Sequence, residues 1–254
     1  MTAPTTLTWR NEGNTAMGVT ERGFAVTREG DPDPIPGILW MPETVTGPMP
    51  LVLIGHGGGG NKRAATHLAI ARRLVRRNGL AAAAIDAPGH GDRGGVKSRT
   101  EAYYDLWRDG RAMAGRSSED WRATLDALLA LGQFDAERIG WWGLSMGTLI
   151  GLPYVASEPR IRAAVLGLCG VTGETPSRST IGEVLAEAAA EVTVPVLFMV
   201  QWDDERFDRD GSLRLFDLLA SRNKRLMAYP GKHGETPEEA GNQTRDFLEW
   251  QLQS

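Results

Sequence analysis

From Pro50 onward, short runs of apolar residues alternate with longer stretches whose apolar positions recur every three or four residues. Leu51-Val52-Leu53-Ile54 is apolar on both faces, as a buried strand must be, and residues 64–77 follow with helical periodicity. The same alternation predicts strands at 80–85, 139–142, 161–168, 194–200 and 225–229. Helices are predicted at 118–131, 146–157, 211–221 and 237–252, the first capped by Ser117 or Ser118 with acids in its first turn. Strands apolar on both faces, with helices between them, make a parallel sheet covered on both sides. Ahead of this region, residues 23–42 carry Phe24-Ala25-Val26-Thr27 and Ile38-Leu39-Trp40 and read as an antiparallel hairpin on one edge. The expectation is an α/β fold with a mostly parallel central sheet of about eight strands and helices on both faces. One domain spans 1–254, with 1–20 expected as a loosely ordered N-terminal segment. Two stretches, 93–115 and 171–183, carry no strong pattern. Both follow a strand's carboxyl end, where an open α/β sheet places its ligands.

Composition narrows the classes of function. With 41% hydrophobic and 24% charged residues, the chain reads as a soluble globular protein. A net charge of −4 leaves no basic surplus for phosphate backbones, so no nucleic-acid partner is expected. Arg72, Arg73, Arg76 and Arg77 fall at helical spacing and form one solvated face. No apolar run approaches the roughly 20 residues that span a bilayer. Residues 1–7 have neither the charged nor the apolar segment of a signal peptide. The single cysteine, Cys169, ends the apolar run 163–169 and reads as a buried structural thiol. Together these features favour the cytoplasm.

The chemistry concentrates at Gly143-Leu144-Ser145-Met146-Gly147, between a predicted strand and a predicted helix. A serine nucleophile on so sharp a turn needs glycine two residues to either side, and the following helix aims its first amides at the same point. The bland alternative is a helix capped by serine after a Gly-rich turn. A serine hydroxyl is inert at neutral pH without a base, and the chain has four histidines. His67 falls inside a helical pattern, on its surface or against its packing. His56 follows a strand in Gly55-His56-Gly57-Gly58, where the loop backbone is the useful part. His90 sits in Asp86-Ala87-Pro88-Gly89-His90-Gly91 and is the second choice as base. His233, in Pro230-Gly231-Lys232-His233-Gly234, follows the last strand and is the first choice. The orienting carboxylate comes from Asp203 or Asp204, which end the strand 194–200; one faces the histidine and the other faces solvent, since like charges resist joint burial.

Taken together, the glycine run after a strand, the elbow at Ser145 and the Ser-then-Asp-then-His order resemble the α/β-hydrolase superfamily. The loop 86–91 is similar to that of its dienelactone-hydrolase and oligopeptidase-like esterase branch. The resemblance covers residues 23–252. It implies Asp204 rather than Asp203 as the acid, although Gln201 replaces a glycine usual at that strand end. It also implies an oxyanion hole formed by the backbone amides of Met146 and Gly58, with Gly57 as the alternative to Gly58. The implied activity is cofactor-free hydrolysis of a small-molecule carboxylic ester through an acyl-enzyme. Thioester, amide and acyl-transfer chemistry stay open on the same triad, as does a non-catalytic binding protein of the same fold. The glycine run 57–60 lacks the Gly-Lys-Ser/Thr ending of a phosphate loop, because Asn61 precedes Lys62 and no hydroxyl residue follows. No metal site is expected, since the histidines include no His-x-x-x-His pair. Trp107, Trp202 and Met146 are candidates for an apolar pocket or for the core. The short stretch 171–183 leaves room for only a small lid, which favours short acyl chains. The oligomeric state is not addressed by any of these features.

Overall fold

The computed structural model describes residues 5–45 and 47–253. It begins with β1 (Thr5–Trp9), β2 (Asn14–Ala16), β3 (Val19–Arg28), β4 (Asp31–Pro42) and β5 (Met49–Gly55). Then come α1 (Ala65–Asn78), β6 (Ala81–Ile85), α2 (Glu101–Trp107), α3 (Gly110–Leu129) and β7 (Phe134–Gly143). The chain continues through α4 (Met146–Ser157), β8 (Ile161–Gly167), α5 (Ile181–Ala189), β9 (Val196–Gln201), α6 (Arg209–Leu218), β10 (Lys224–Tyr229) and α7 (Glu238–Gln253). Among the described residues these strands form one ten-stranded sheet in the order β1-β3-β4-β6-β5-β7-β8-β9-β10, with β2 paired to β3. The six strands from β6 to β10 in that order run parallel, and β4 joins them antiparallel through β6.

Strand alternation sorts the apolar runs into two layers. Leu51, Leu53 and Trp141 face α3 and α4, with Trp121 and Leu149 packed among them. Val52, Ile54 and Trp142 face α1 and α7, against Leu74 and Leu248. Adjacent tryptophans on β7 therefore anchor opposite sides of the sheet. The mostly parallel sheet with helices on both faces agrees with the sequence reading. No helix among the described residues is long and apolar enough to cross a membrane.

Three expectations need correction. Residues 1–4 lie outside the described residues, but the rest of the segment expected to be loose forms β1 and β2. In β1 every second residue is half-buried, and Leu7 and Trp9 pack on the core, a pattern diluted by three threonines in five positions. These two strands also raise the count from about eight to ten. Second, the helix expected from Ser118 begins two turns earlier. The Asp109 side chain caps it by accepting from Ala112 N, and Gly110 lies so close to the Ile181 backbone that a Cβ would come within 2.5 Å. Glycines at 110 and 115 obscure a helix that tertiary contact stabilises. Third, the unpatterned stretch 171–183 ends in the first turn of α5, which buries Ile181, Val184 and Leu185.

Candidate active site

The turn from β7 into α4 is as tight as its sequence requires. Ser145 holds φ 58° and ψ −122°, a conformation side chains rarely adopt. A Cβ on Gly143 would approach the Gly147 carbonyl oxygen to 2.6 Å, and one on Gly147 would approach the Gly55 carbonyl oxygen to 2.4 Å. The elbow is therefore pressed directly onto the end of β5. Ser145 N–H donates to Gly167 O at 3.0 Å, and the buried Thr148 hydroxyl lies 2.8 Å from the carbonyl oxygens of both Gly143 and Gly167. Thr148 was not singled out by the sequence, where it is one more residue of an apolar helix. Gly147→Ala is expected to lower the unfolding free energy by about 1–3 kcal/mol through backbone overpacking. Urea denaturation checks this, and an unchanged midpoint would mean that the elbow has slack.

The structure brings Ser145, His233 and Asp204 together from three strand ends. His233 Nε2 lies 2.8 Å from Ser145 Oγ, and His233 Nδ1 lies 2.8 Å from Asp204 Oδ2. The second Asp204 oxygen accepts the backbone N–H groups of Arg206 (2.8 Å) and Phe207 (3.1 Å). Burial alone would raise the Asp204 pKa. The hydrogen bond and charge of His233, with the two amides, outweigh burial and hold the carboxyl below its ordinary value. The His233 backbone N–H donates to Glu205, and its ring packs beside Phe207 with centroids 5.9 Å apart. Asp203 instead points outward, with a side chain 65% exposed that lies 3.7 Å from Arg209.

The other histidines are all buried away from Ser145 Oγ. His56 Nε2 accepts the Ala87 N–H at 3.0 Å, so the proton sits on Nδ1, which donates to Gly57 O at 2.9 Å. Burial pushes its pKa down to about 3, which keeps that tautomer neutral. In a trans peptide the carbonyl and the next N–H point in opposite directions. Fixing Gly57 O therefore also fixes the direction of Gly58 N–H. Asp86 locks the same loop to its neighbour, accepting from Lys62 N (2.8 Å), Lys62 Nζ (2.6 Å) and Asp92 N (2.9 Å). His90 packs against His56 with ring centroids 5.3 Å apart and contacts Pro88 O. His67, expected at the surface or in helix packing, takes the packing role against Trp142.

Ser145 opens onto two hollows. One is a narrow polar slot of about 10 Å³ whose walls include Gly58, Tyr103, Tyr104, Thr175, Arg206 and Phe207. Burial pushes the Tyr103 hydroxyl up to about 12, so it stays protonated, and Tyr104 donates to Glu174. A Cβ on Gly58 would meet the Tyr103 ring at 3.0 Å. Both unpatterned stretches thus contribute to the slot, a role the sequence located by position alone. The other hollow, of about 550 Å³, lies between α1 and α7 and includes Gly57 in its lining. Met146, as the first residue of α4, has an N–H with no acceptor in its own helix.

The three residues considered for an apolar pocket line neither hollow. Trp107 and Met146 are fully buried in the core, where their helices turn them inward. Trp202 lies just past the end of β9, 41% exposed, beneath the Arg209 guanidinium. Cys169 is buried and free, and burial raises its thiol pKa. Among the described residues no three His, Cys, Asp or Glu side chains gather as a metal-binding group.

Comparison with known proteins agrees with this architecture. A solved, polyethylene-glycol-bound structure of a cold-adapted esterase from an Arctic intertidal metagenomic library is 37% identical, with a TM-score of 0.83 over 96% of this chain and 99% of that one. Acetyl xylan esterase from Paenibacillus sp. R4 shares the fold at 19% identity and a TM-score of 0.78, over 98% of this chain and 89% of that one. YtaP of Bacillus subtilis (strain 168) is 29% identical over 140 residues, or 51% of this chain and 46% of that protein, so the match spans about half the length of this curated relative. A profile of the alpha/beta hydrolase family matches residues 51–250. On its sheet, its elbow and that match, the chain belongs to the alpha/beta hydrolase family.

Proposed function

We propose that the chain is a serine esterase that hydrolyses carboxylic esters with short acyl groups through an acyl-enzyme intermediate. The observation that carries this reading is the continuous relay Ser145 Oγ, His233, Asp204, with both links at 2.8 Å. The esterase named above, similar over nearly the full length of both chains, supports the same chemistry. In the reaction, Ser145 Oγ attacks the ester carbonyl carbon as its proton passes to His233 Nε2. Asp204 holds the Nδ1 proton and stabilises the imidazolium. The amides of Met146 and Gly58 receive the negative oxygen of the tetrahedral intermediate. Its collapse breaks the bond to the alcohol oxygen, which leaves with the proton from His233. Water then loses a proton to His233, attacks the acyl-enzyme and releases the carboxylic acid with Ser145 restored.

Acyl length is limited by the slot beside Ser145, which is narrowed by Gly58, Tyr103 and Phe207 and leaves room for only a small group. Each methylene left outside forgoes about 0.8 kcal/mol of burial. Across p-nitrophenyl esters from acetate to decanoate, kcat/KM should peak at acetate to butyrate. A maximum at decanoate would contradict the acyl assignment, and no turnover of any ester would contradict the activity.

His56 acts as a positioning residue through the Gly57–Gly58 peptide. His56→Ala is expected to lower kcat about tenfold to a hundredfold, a part of what loss of an oxyanion donor costs. KM should change little, because the interaction serves the transition state. A raised KM with unchanged kcat would show that His56 shapes ground-state binding instead.

A further inference from the structure

The larger hollow at Ser145 plays no part in the chemistry described so far. It opens between α1 and α7, with Trp142, Leu168 and Met199 at its base and Ile70, Ala240 and Gly241 on the two helices. Among the described residues its charged lining residues are Arg73 and Glu238, which form a pair at 2.6 Å, and their exposed side chains place it at the rim. Inside, polar groups are already engaged. Thr244 Oγ1 accepts from Trp142 Nε1 at 3.2 Å and donates to Gly241 O at 3.0 Å. His67 is held neutral, since burial pushes it down to about 4. A ligand entering here meets an uncharged, mainly apolar cavity of about 550 Å³, within the usual size range of small-molecule sites.

Its position relative to the base assigns its occupant. Gly234, Thr236 and Pro237, which continue the chain directly from His233, form one of its walls. His233 must hand its proton to the departing oxygen, so the leaving alcohol lies on the His233 side of the reacting carbon. The polar slot beside Gly58, which meets His233 across the Phe207 ring and is too narrow for a ring-sized group, is left to the acyl group. We infer that the cavity between α1 and α7 is the alcohol site, built for an apolar alcohol carrying a ring-sized group, esterified to a small acid. This inference rests on the esterase reading above.

Benzyl acetate and methyl phenylacetate test it directly, being isomers that carry the same phenyl group on opposite sides of the ester. The wild-type enzyme should favour benzyl acetate by about thirtyfold in kcat/KM, the effect of burying one phenyl group. Gly241→Phe provides the second test. A Cβ at Gly241 meets no atom within 4 Å, so the side chain has open space at the cavity wall, and α7 loses a helix-weakening glycine. The ratio of kcat/KM for benzyl acetate to that for ethyl acetate should fall about tenfold in this variant, as the phenyl site fills. Equal rates for the two isomers, a preference for methyl phenylacetate, or an unchanged ratio in Gly241→Phe would overturn the inference while leaving the esterase reading intact. Failure of the wild type to hydrolyse ethyl acetate or either isomer would overturn both.

Discussion

Ser145→Ala is expected to reduce ester turnover by about 10⁴-fold or more while leaving the protein folded. The large effect follows from the absence of a substitute. In the proposed mechanism every covalent step passes through this oxygen, and His233 Nε2 lies 2.8 Å from it. The small structural effect follows from the same geometry. Ser145 is half-buried, its strained backbone is held by its own N–H to Gly167 O, and alanine leaves those contacts in place. Thermal unfolding should therefore shift little. Retention of most activity in the purified variant would remove Ser145 from the mechanism.

The second large effect separates two adjacent acids. Asp204→Asn should cost about 10⁴-fold in kcat, because an amide facing Nδ1 favours the tautomer that cannot accept the serine proton. Asp203→Asn should stay within about threefold, as expected for a largely exposed carboxylate whose partners are Arg209 and the Gly231 N–H (3.4 Å) rather than the His233 ring. Equal or reversed effects would contradict the assignment. The lowered Asp204 pKa adds a sign that can be checked. The stability it contributes is complete above the unfolded value of about 3.9 and is lost as pH falls through the lower folded value. The stability difference between wild type and Asp204→Asn should accordingly move in favour of the variant as the solution is acidified below about pH 4.

Features that depend on one local pattern were legible in the sequence. The buried parallel strands announce themselves because both faces are apolar, and the elbow because its glycines are dictated by backbone contacts of 2.4–2.6 Å. The order of Ser145, Asp204 and His233 could be read because each falls at a strand end. Features created by tertiary contact were not legible. β1 is a half-buried edge strand with a weak pattern, and the start of α3 is fixed by Gly110 against α5. His56 illustrates the same limit: the sequence pointed to the backbone of its loop, while the ring's hold on that backbone depends on Ala87 N–H and Gly57 O meeting its two nitrogens. The cavity between α1 and α7 is set by the spacing of helices far apart in the chain, and no local stretch encodes it.

The proposed mechanism makes Ser145 an activated nucleophile served by His233 and Asp204. A fluorophosphonate probe followed by peptide mass spectrometry tests it most directly, since only an activated serine is phosphonylated at an appreciable rate. The expected result is a single stoichiometric adduct on the peptide containing Ser145, lost in Ser145→Ala and slowed by orders of magnitude in His233→Ala. No adduct on the folded wild-type protein, or an adduct on another residue, would contradict it.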